Sequence, residues 1–196
     1  MLCAPIDITA FAHWVRSYAM LPEQSMHNDV IYYDELATPV GPLRLVADAQ
    51  GLRQIGFETG RHPQQASPDW IRSADALAFA RVQLEEYFAG IRQTFALPLH
   101  PLGTPFQFGV WEELARIPFG STISYGELAQ RIGQPRAVRA VGAANGRNPL
   151  PIVLPCHRVI GSDGSLIGFG GGLPTKRWLL ALEDRVAGGD LFVAPD

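Results

Sequence analysis

At 196 residues the chain has room for one large domain or two small ones, each able to bury a core without disulfide or metal staples. Its 47% hydrophobic and 18% charged residues are ordinary for a globular protein, and no run approaches the roughly 18 consecutive apolar residues of a membrane span, so a membrane protein is excluded as an expectation. The net charge of −3 does not advertise a nucleic-acid binder, yet the charge is unevenly spread: from Ser124 to Ile160 five arginines face one acid, Glu127, a local +4.

Two cysteines far apart, Cys3 and Cys156, rule out a disulfide framework and a cysteine-rich zinc site, and the five histidines show no ligand-like pairing. No metal is expected. Asp7, His13, Arg16 and Ser17 interrupt the first twenty residues, so no secretory signal is expected and a reducing, cytoplasmic compartment is. Fifteen of the sixteen basic residues are arginine, and the one lysine is Lys176.

Residues 1–28 read as an extension in which Asp7 caps a short amphipathic helix. From there Val30 to Leu36, Leu43 to Asp48 and Leu52 to Phe57 are β-prone runs divided by turn chemistry, which predicts an antiparallel meander. Ser73 to Ala89 carries Leu77, Ala80, Leu84, Tyr87 and Phe88 at helical spacing, with Gly90 as its stop, and Thr94 to Leu99 offers a further strand. The segment from His100 to Pro105, with two prolines and a glycine, reads as a linker.

Beyond it the pattern turns helical. Phe106 to Ile117 is one helix; Ser124 to Ile132 is a second, with Ser124 and Glu127 at capping-box spacing; Arg136 to about Asn145 is a third, after the breaker Gly133-Gln134-Pro135. Two short helices across a tight turn suggest a helix-turn-helix. The fold class expected is α+β: an N-terminal domain over 29–100, a mostly helical C-terminal domain over 104–187, and a tail over 188–196.

The third helix is rich in Ala and Gly beside two arginines. Small residues suit a helix buried against a neighbour, but they also suit one pressed into a minor groove, which at about 6 Å is narrower than a helix of about 10 Å. Cys156 follows the apolar run Ile152 to Leu154, read as a strand, and adjoins His157 and Arg158. An isolated cysteine is ordinarily a small buried hydrophobe, whereas cationic or proton-accepting neighbours raise its thiolate fraction and make it a nucleophile. The glycines from Gly168 to Gly172 lack the spacing of a phosphate loop and form either a surface loop or a flexible wall beside the cysteine. Lys176 to Asp184 is helix-like, and Glu183 on it would ordinarily be a solvated charge.

Taken in order, PFQFGVWEELARIPFGSTISYGELAQRIGQPRAVRAVGAANGRNP, PIVLPCHRVIG, a glycine-rich loop and KRWLLALE resemble the methylated-DNA–protein-cysteine methyltransferases, or O6-alkylguanine-DNA alkyltransferases, over about eighty residues. Residues 30–100 resemble more loosely the ribonuclease-H-like N-terminal domain of that family, and the C-terminal half its winged-helix-like domain. The resemblance implies DNA repair by irreversible, single-turnover transfer of a small alkyl group from O6-alkylguanine, and also O4-alkylthymine, in double-stranded DNA, without a cofactor and by a monomer.

Carried over residue by residue, it makes Cys156 the acceptor, His157 its water-bridged base and Glu183 the carboxylate orienting that histidine. Asn148 braces the turn before the site, and Tyr125 lies near the flipped nucleotide as proton donor. Arg139 fills the gap left by the extruded base, and Arg136, Ala137, Ala140, Gly142, Arg147 and Tyr125 complete the DNA-binding set. Pro151, Val159, Ile167, Phe169 and Gly170 form the substrate pocket. Two departures stand out: Phe169 where many relatives have tyrosine, and Ile167 where some have a smaller residue. The zinc ligands that some relatives carry are absent. Two other classes fit parts of the pattern: a helix-turn-helix regulator would read the major groove without being consumed, and a Cys-His hydrolase would turn over many times.

Overall fold

The computed structural model describes residues 30–58 and 66–188; the expected extension over 1–28 and the tail beyond Gly188 lie outside them. Strands β1 (Tyr32–Leu36), β2 (Leu43–Asp48) and β3 (Gly51–Phe57) form the antiparallel meander that the turn chemistry predicts. Alternation on β2 sends Leu43, Leu45 and Ala47 into the core, while Arg44 stays half-exposed and pairs with Glu35 across the strands.

The sheet is mixed, not purely antiparallel. A short β4 (Ile71–Arg72) lies parallel to β1, giving the order β3-β2-β1-β4. Both of its residues are exposed, so it carries no hydrophobic alternation; the bonds of Ile71 N–H to the Ile31 carbonyl and Ser73 N–H to the Tyr33 carbonyl, and the Arg72 guanidinium on Asp34 at 3.4 Å, hold it. The strand expected over Thr94 to Leu99 reduces to a single parallel bridge between Leu99 and Leu52.

Helix α1 (Ala78–Phe88) starts five residues later than the spacing suggests, because Ala74 to Leu77 are turns and the Ser73 hydroxyl accepts from Ala76 N–H. It buries Ala80, Leu84 and Tyr87 in a core shared with the sheet, and Gly90, at φ 74°, ends it.

The linker is pinned to the β2–β3 hairpin. Leu52 N–H donates to the Pro98 carbonyl at 2.9 Å and His100 N–H to the Leu52 carbonyl at 2.8 Å. The buried Asp48 carboxylate meets His100 Nδ1 at 2.6 Å and Arg53 at 3.2 Å, and accepts the N–H groups of Gln50 and Gly51. Gly51 sits at φ 148°, and a Cβ there would lie 2.5 Å from the Pro98 carbonyl oxygen.

In the C-terminal half, α2 (Pro105–Ala115) begins with proline at N1 and a complete capping box between Thr104 and Gln107. Helix α3 (Tyr125–Arg131) is capped by Ser124, whose hydroxyl accepts from Glu127 N–H at 3.0 Å. The expected box is only half made, because the Glu127 carboxylate turns to Arg131 at 2.7 Å. After Gly133, at φ 72°, α4 runs Val138–Gly146, two residues later than Arg136. It packs on α2 and α3, burying Val141 and Ala144, with the Trp111 indole N–H on the Ala144 carbonyl at 3.0 Å. Strands β5 (Ile123–Ser124) and β6 (Val159–Ile160) form a parallel pair, and α5 (Gly172–Ala187) is longer than Lys176 to Asp184 at both ends. No described helix is long and apolar enough to cross a membrane.

One apolar core runs through both halves, from Leu43 and Leu84 to Leu128 and Leu179. The halves also meet through Ile55 N–H on the Pro149 carbonyl at 2.8 Å and the edge-to-face pair Phe57–Phe169 at 5.4 Å. Gly51→Ala must push the hairpin off the linker backbone or strain its φ, so urea unfolding should show a loss of about 2 kcal/mol or more. A loss under about 0.5 kcal/mol, the scale of an ordinary surface substitution, would mean that this contact is not a constraint.

Candidate active site

Between α4 and Cys156 the chain makes no strand. Residues 151–154 form a turn in which Ile152 takes φ 77°, a left-handed conformation that costs a β-branched residue of the order of 1–3 kcal/mol. The apolar run looked strand-like because its side chains are all buried, but they are buried around a turn. Asn148 holds that turn closed: its amide donates to the Leu154 carbonyl at 2.6 Å and its oxygen accepts from Leu150 N–H at 2.9 Å. Cys156 then opens a 3-10 turn, Cys156–Arg158, leading into β6.

The thiol is 4% exposed and lines a cavity of about 500 Å³ between the meander and α4. Asn145, Asn148, Pro151, Gly170 and, from the N-terminal half, Ile55 and Phe57 share the lining. Of the five pocket residues expected, Pro151 and Gly170 line it, whereas Val159, Ile167 and Phe169 do not. Val159 is buried and its carbonyl accepts from Lys176; Ile167 is 48% exposed; the Phe169 ring packs on Phe57 and edge-on to His157 at 6.4 Å. Phe169 cannot offer the hydroxyl that tyrosine would.

His157 is fully buried, and its Nε2 lies 2.7 Å from Glu183 Oε1. An ionised carboxylate only accepts, so Nε2 carries the proton and Nδ1 keeps its lone pair. Nδ1 is buried and has no hydrogen-bond partner among the described residues. Burial lowers the His157 pKa against the raising influence of Glu183, with Arg158 and Lys176 adding to the fall, so the ring is neutral at pH 7 and able to take up a proton.

Glu183, read from sequence alone as a solvated charge, is 1% exposed. Beside His157 it accepts from Arg158 Nε at 2.8 Å and Nη2 at 2.9 Å, from the Tyr87 hydroxyl at 2.7 Å and from Gly120 N–H at 3.2 Å. Burial pushes its carboxyl upward, but His157 and Arg158 outweigh burial and hold it well below the usual carboxylate range. Tyr87 is a site residue that sequence reasoning missed, and Arg158, read there as a cation beside the thiol, instead spends its charge on Glu183. Tyr87 occupies an apolar helix position, and Arg158 belonged to a basic stretch that suggested a DNA-facing surface; instead its guanidinium is buried, bonded also to the Ile117 carbonyl and lying over Phe119.

Lys176 was missed as well. It is fully buried and donates to the Val159 carbonyl at 2.6 Å and the Ile167 carbonyl at 2.8 Å. Burial lowers its pKa to about 8, partly offset by Cys156. Burial also pushes the Cys156 thiol up to about 11, while a hydrogen bond from Asn148, the charge of Lys176 and local N–H groups pull against it. The resting thiol is therefore protonated and becomes a nucleophile only with a base. Tyr125, bonded to the cavity-lining Asn145, does not line the cavity itself: its hydroxyl donates to the Ile167 carbonyl at 3.2 Å, and burial, then the charge of Cys156, raise its pKa.

Above the cavity α4 has two faces, one packed inside and one open. Val141 and Ala144 are packed inside, and Gly142 sits against the Tyr125 ring. Arg136, Arg139, Ala140, Ala143 and Arg147 are exposed, with Ala137 half-buried. The three arginines enter no salt bridge among the described residues, whereas Arg131 pairs with Glu127 and Arg158 with Glu183.

Comparison with known proteins matches both halves. The family described as 6-O-methylguanine DNA methyltransferase, ribonuclease-like domain, covers residues 31–101, and the DNA binding domain of the same methyltransferase covers 105–185. The chain is 47% identical over 155 residues to a methylated-DNA–protein-cysteine methyltransferase of Methanosarcina barkeri, spanning 79% of this chain and 98% of that one. It is 45% identical to one of Mycobacterium leprae over 79% of this chain and 93% of that one. A crystal structure of Mycobacterium tuberculosis OGT in complex with DNA superposes with a TM-score of 0.75 at 43% identity, covering 79% of this chain and 94% of that chain. The O6-methylguanine-DNA methyltransferase of Pyrococcus kodakaraensis does so at 0.54 and 27%, covering 79% and 99%. The chain belongs to the 6-O-methylguanine DNA methyltransferase family.

Proposed function

We propose that Cys156 accepts the alkyl group in the reaction of this family, DNA repair by transfer from O6-methylguanine to a protein cysteine. The observation that carries the assignment is a buried thiol on the wall of a cavity, beside a neutral His157 held by Glu183, beneath α4, on and beside which the exposed Arg136, Arg139 and Arg147 enter no salt bridge among the described residues. Residues 29–100 then scaffold the site and 104–187 bind DNA and react. Work on chromosomal DNA suits the cytoplasmic location expected from cysteine usage.

The methyl carbon on O6 lies inside the base stack, so the nucleotide has to leave the duplex, at a cost of a few kcal/mol. The small-residue face of α4, Ala137, Ala140 and Gly142, meets the minor groove; Arg136 and Arg147 contact phosphates; Arg139 enters the stack, where a guanidinium over bases recovers up to about 2 kcal/mol. With the base in the cavity against Pro151 and Gly170, His157 Nδ1 takes the Cys156 proton through a bridging water. Sulfur attacks the alkyl carbon, and the bond to O6 breaks with its electron pair going to guanine, which Tyr125 protonates. Asn148 and Lys176 steady the developing thiolate.

The product is a thioether, which water does not cleave, and Cys156 is the one cysteine among the described residues, so nothing near it regenerates the thiol. With DNA carrying radiolabelled O6-methylguanine, label should reach Cys156 to at most one equivalent, and Cys156→Ser should bind the duplex without transfer. Continued turnover, or transfer by the serine variant at a comparable rate, would overturn the assignment.

Arg139→Ala should slow transfer at least tenfold more on duplex than on the free O6-alkylguanine base, which needs no flipping. Equal losses on both substrates would remove Arg139 from that role.

Because His157 is the base and its pKa is lowered, the single-turnover rate should be level at neutral pH and decline only as pH falls below the ordinary histidine value of about 6.5. A pH series of rapid-quench rates measures this; a half-maximal rate above pH 6.5 would contradict it.

A further inference from the structure

Asn145 marks the end of the third helix in the sequence pattern and carries no role in the mechanism above. It is 3% exposed, lines the cavity with Asn148 and Cys156, and has one side-chain hydrogen bond: its Nδ2 donates to the Tyr125 hydroxyl oxygen at 3.4 Å. Its Oδ1 is buried without a partner among the described residues. Leaving an amide oxygen unsatisfied costs about 1–3 kcal/mol, which an alanine or leucine at this helical position would avoid.

Tyr125 has one proton to give. It goes to the Ile167 carbonyl, an oxygen that also accepts from Lys176, so the phenol is held between a donor on α4 and a carbonyl on the loop before α5. The charged or titratable groups nearest it are Cys156 and, through that shared carbonyl, Lys176. We propose that Asn145 is a positioning residue for the transfer: its N–H occupies the Tyr125 oxygen, fixes the phenol between α4 and the loop before α5, and shares the charge left when the phenolic proton departs.

The proposal rests on Tyr125 being the proton donor. In the step, the S–C bond forms as the C–O6 bond breaks, the electron pair goes to guanine, and Tyr125 gives guanine a proton. The proton that Cys156 released to His157 then restores the phenol through solvent, so the net change is one proton moved from thiol to guanine. A phenolate in formation is a stronger acceptor than a phenol, so the Asn145 bond strengthens along the reaction. The same contact lowers the Tyr125 pKa against burial and against Cys156 once that is a thiolate.

A double-mutant cycle tests this, using single-turnover methyl transfer from an O6-methylguanine duplex with wild type, Asn145→Leu, Tyr125→Phe and the double variant. Asn145→Leu should slow transfer by about tenfold, the worth of one hydrogen bond of about 1.4 kcal/mol, yet change the rate less than about twofold when Tyr125 is already phenylalanine. Asn145→Asp, almost the same shape, cannot donate and should be at least as slow, which keeps the test available if the leucine variant melts early. NMR titration of 13Cζ-labelled tyrosine should show Tyr125 ionising at higher pH in Asn145→Leu. An equal loss in both backgrounds, or an unmoved Tyr125 titration, overturns the role of Asn145 while leaving Tyr125 as donor. Tyr125→Phe reacting at the wild-type rate overturns both.

Discussion

Everything around the reactive sulfur depends on the charge of Glu183. A carboxylate nearly sealed from water survives ionised only if its oxygens are filled by donors. Here five groups do so: His157, two nitrogens of Arg158, the Tyr87 hydroxyl and Gly120 N–H. The donors come from three places in the fold, so satisfying one carboxylate fixes α5, the 3-10 turn, the turn after α2 and the end of α1 against one another. The tautomer of His157 follows without further apparatus, and with it a lone pair on the nitrogen that must receive a proton.

A second set of constraints holds the thiol itself. Asn148 closes the turn that carries Ile152 through a left-handed conformation, and that turn delivers Cys156 to the cavity instead of into a strand. Lys176 ties the carbonyls of Val159 and Ile167 together from behind, so the loop before α5 is anchored at the residue that also accepts from Tyr125. The cationic head is thereby fixed near sulfur by two neutral carbonyls, free of a carboxylate that would cancel its charge. Glycines at 168 and 170–172 let the segment between these anchors pass close to Tyr125 and Phe57, where a Cβ at Gly168 or Gly171 would already be in contact.

How much of this was legible in the sequence divides along range. Local signals read correctly: the meander turns, the existence of α2, the Ser124 cap and the adjacency of Cys156 and His157 all concern residues within a few positions of one another. Burial patterns misled where a polar group hides on an apolar face. Tyr87 sits at core spacing on α1, and only the tertiary arrangement shows its hydroxyl reaching Glu183, 96 residues away. Arg158 contributed to a basic stretch by its sequence position, though its charge is spent inside the protein. The run Ile152 to Leu154 is as apolar as a strand because burial, not extension, selected it. Glu183 became readable only through resemblance, since nothing nearby in the chain marks it as other than an exposed helical acid.

The bond from Tyr87 to Glu183 bears on how such a chain can be recombined. The linker from His100 to Pro105 is the natural crossover point for exchanging halves between homologous genes, being short, rich in proline and clear of the reactive residues. A hybrid joined there keeps Cys156, His157, Arg158 and Glu183 from one parent but takes the donor at position 87 from the other, along with the Ile55 N–H that meets Pro149 and the Phe57 ring that meets Phe169. Its carboxylate would be a donor short unless both parents place a hydroxyl at that point of α1. Viable chimeras are thus filtered by a residue far from the thiol in sequence, and the two halves are inherited most safely as a single unit.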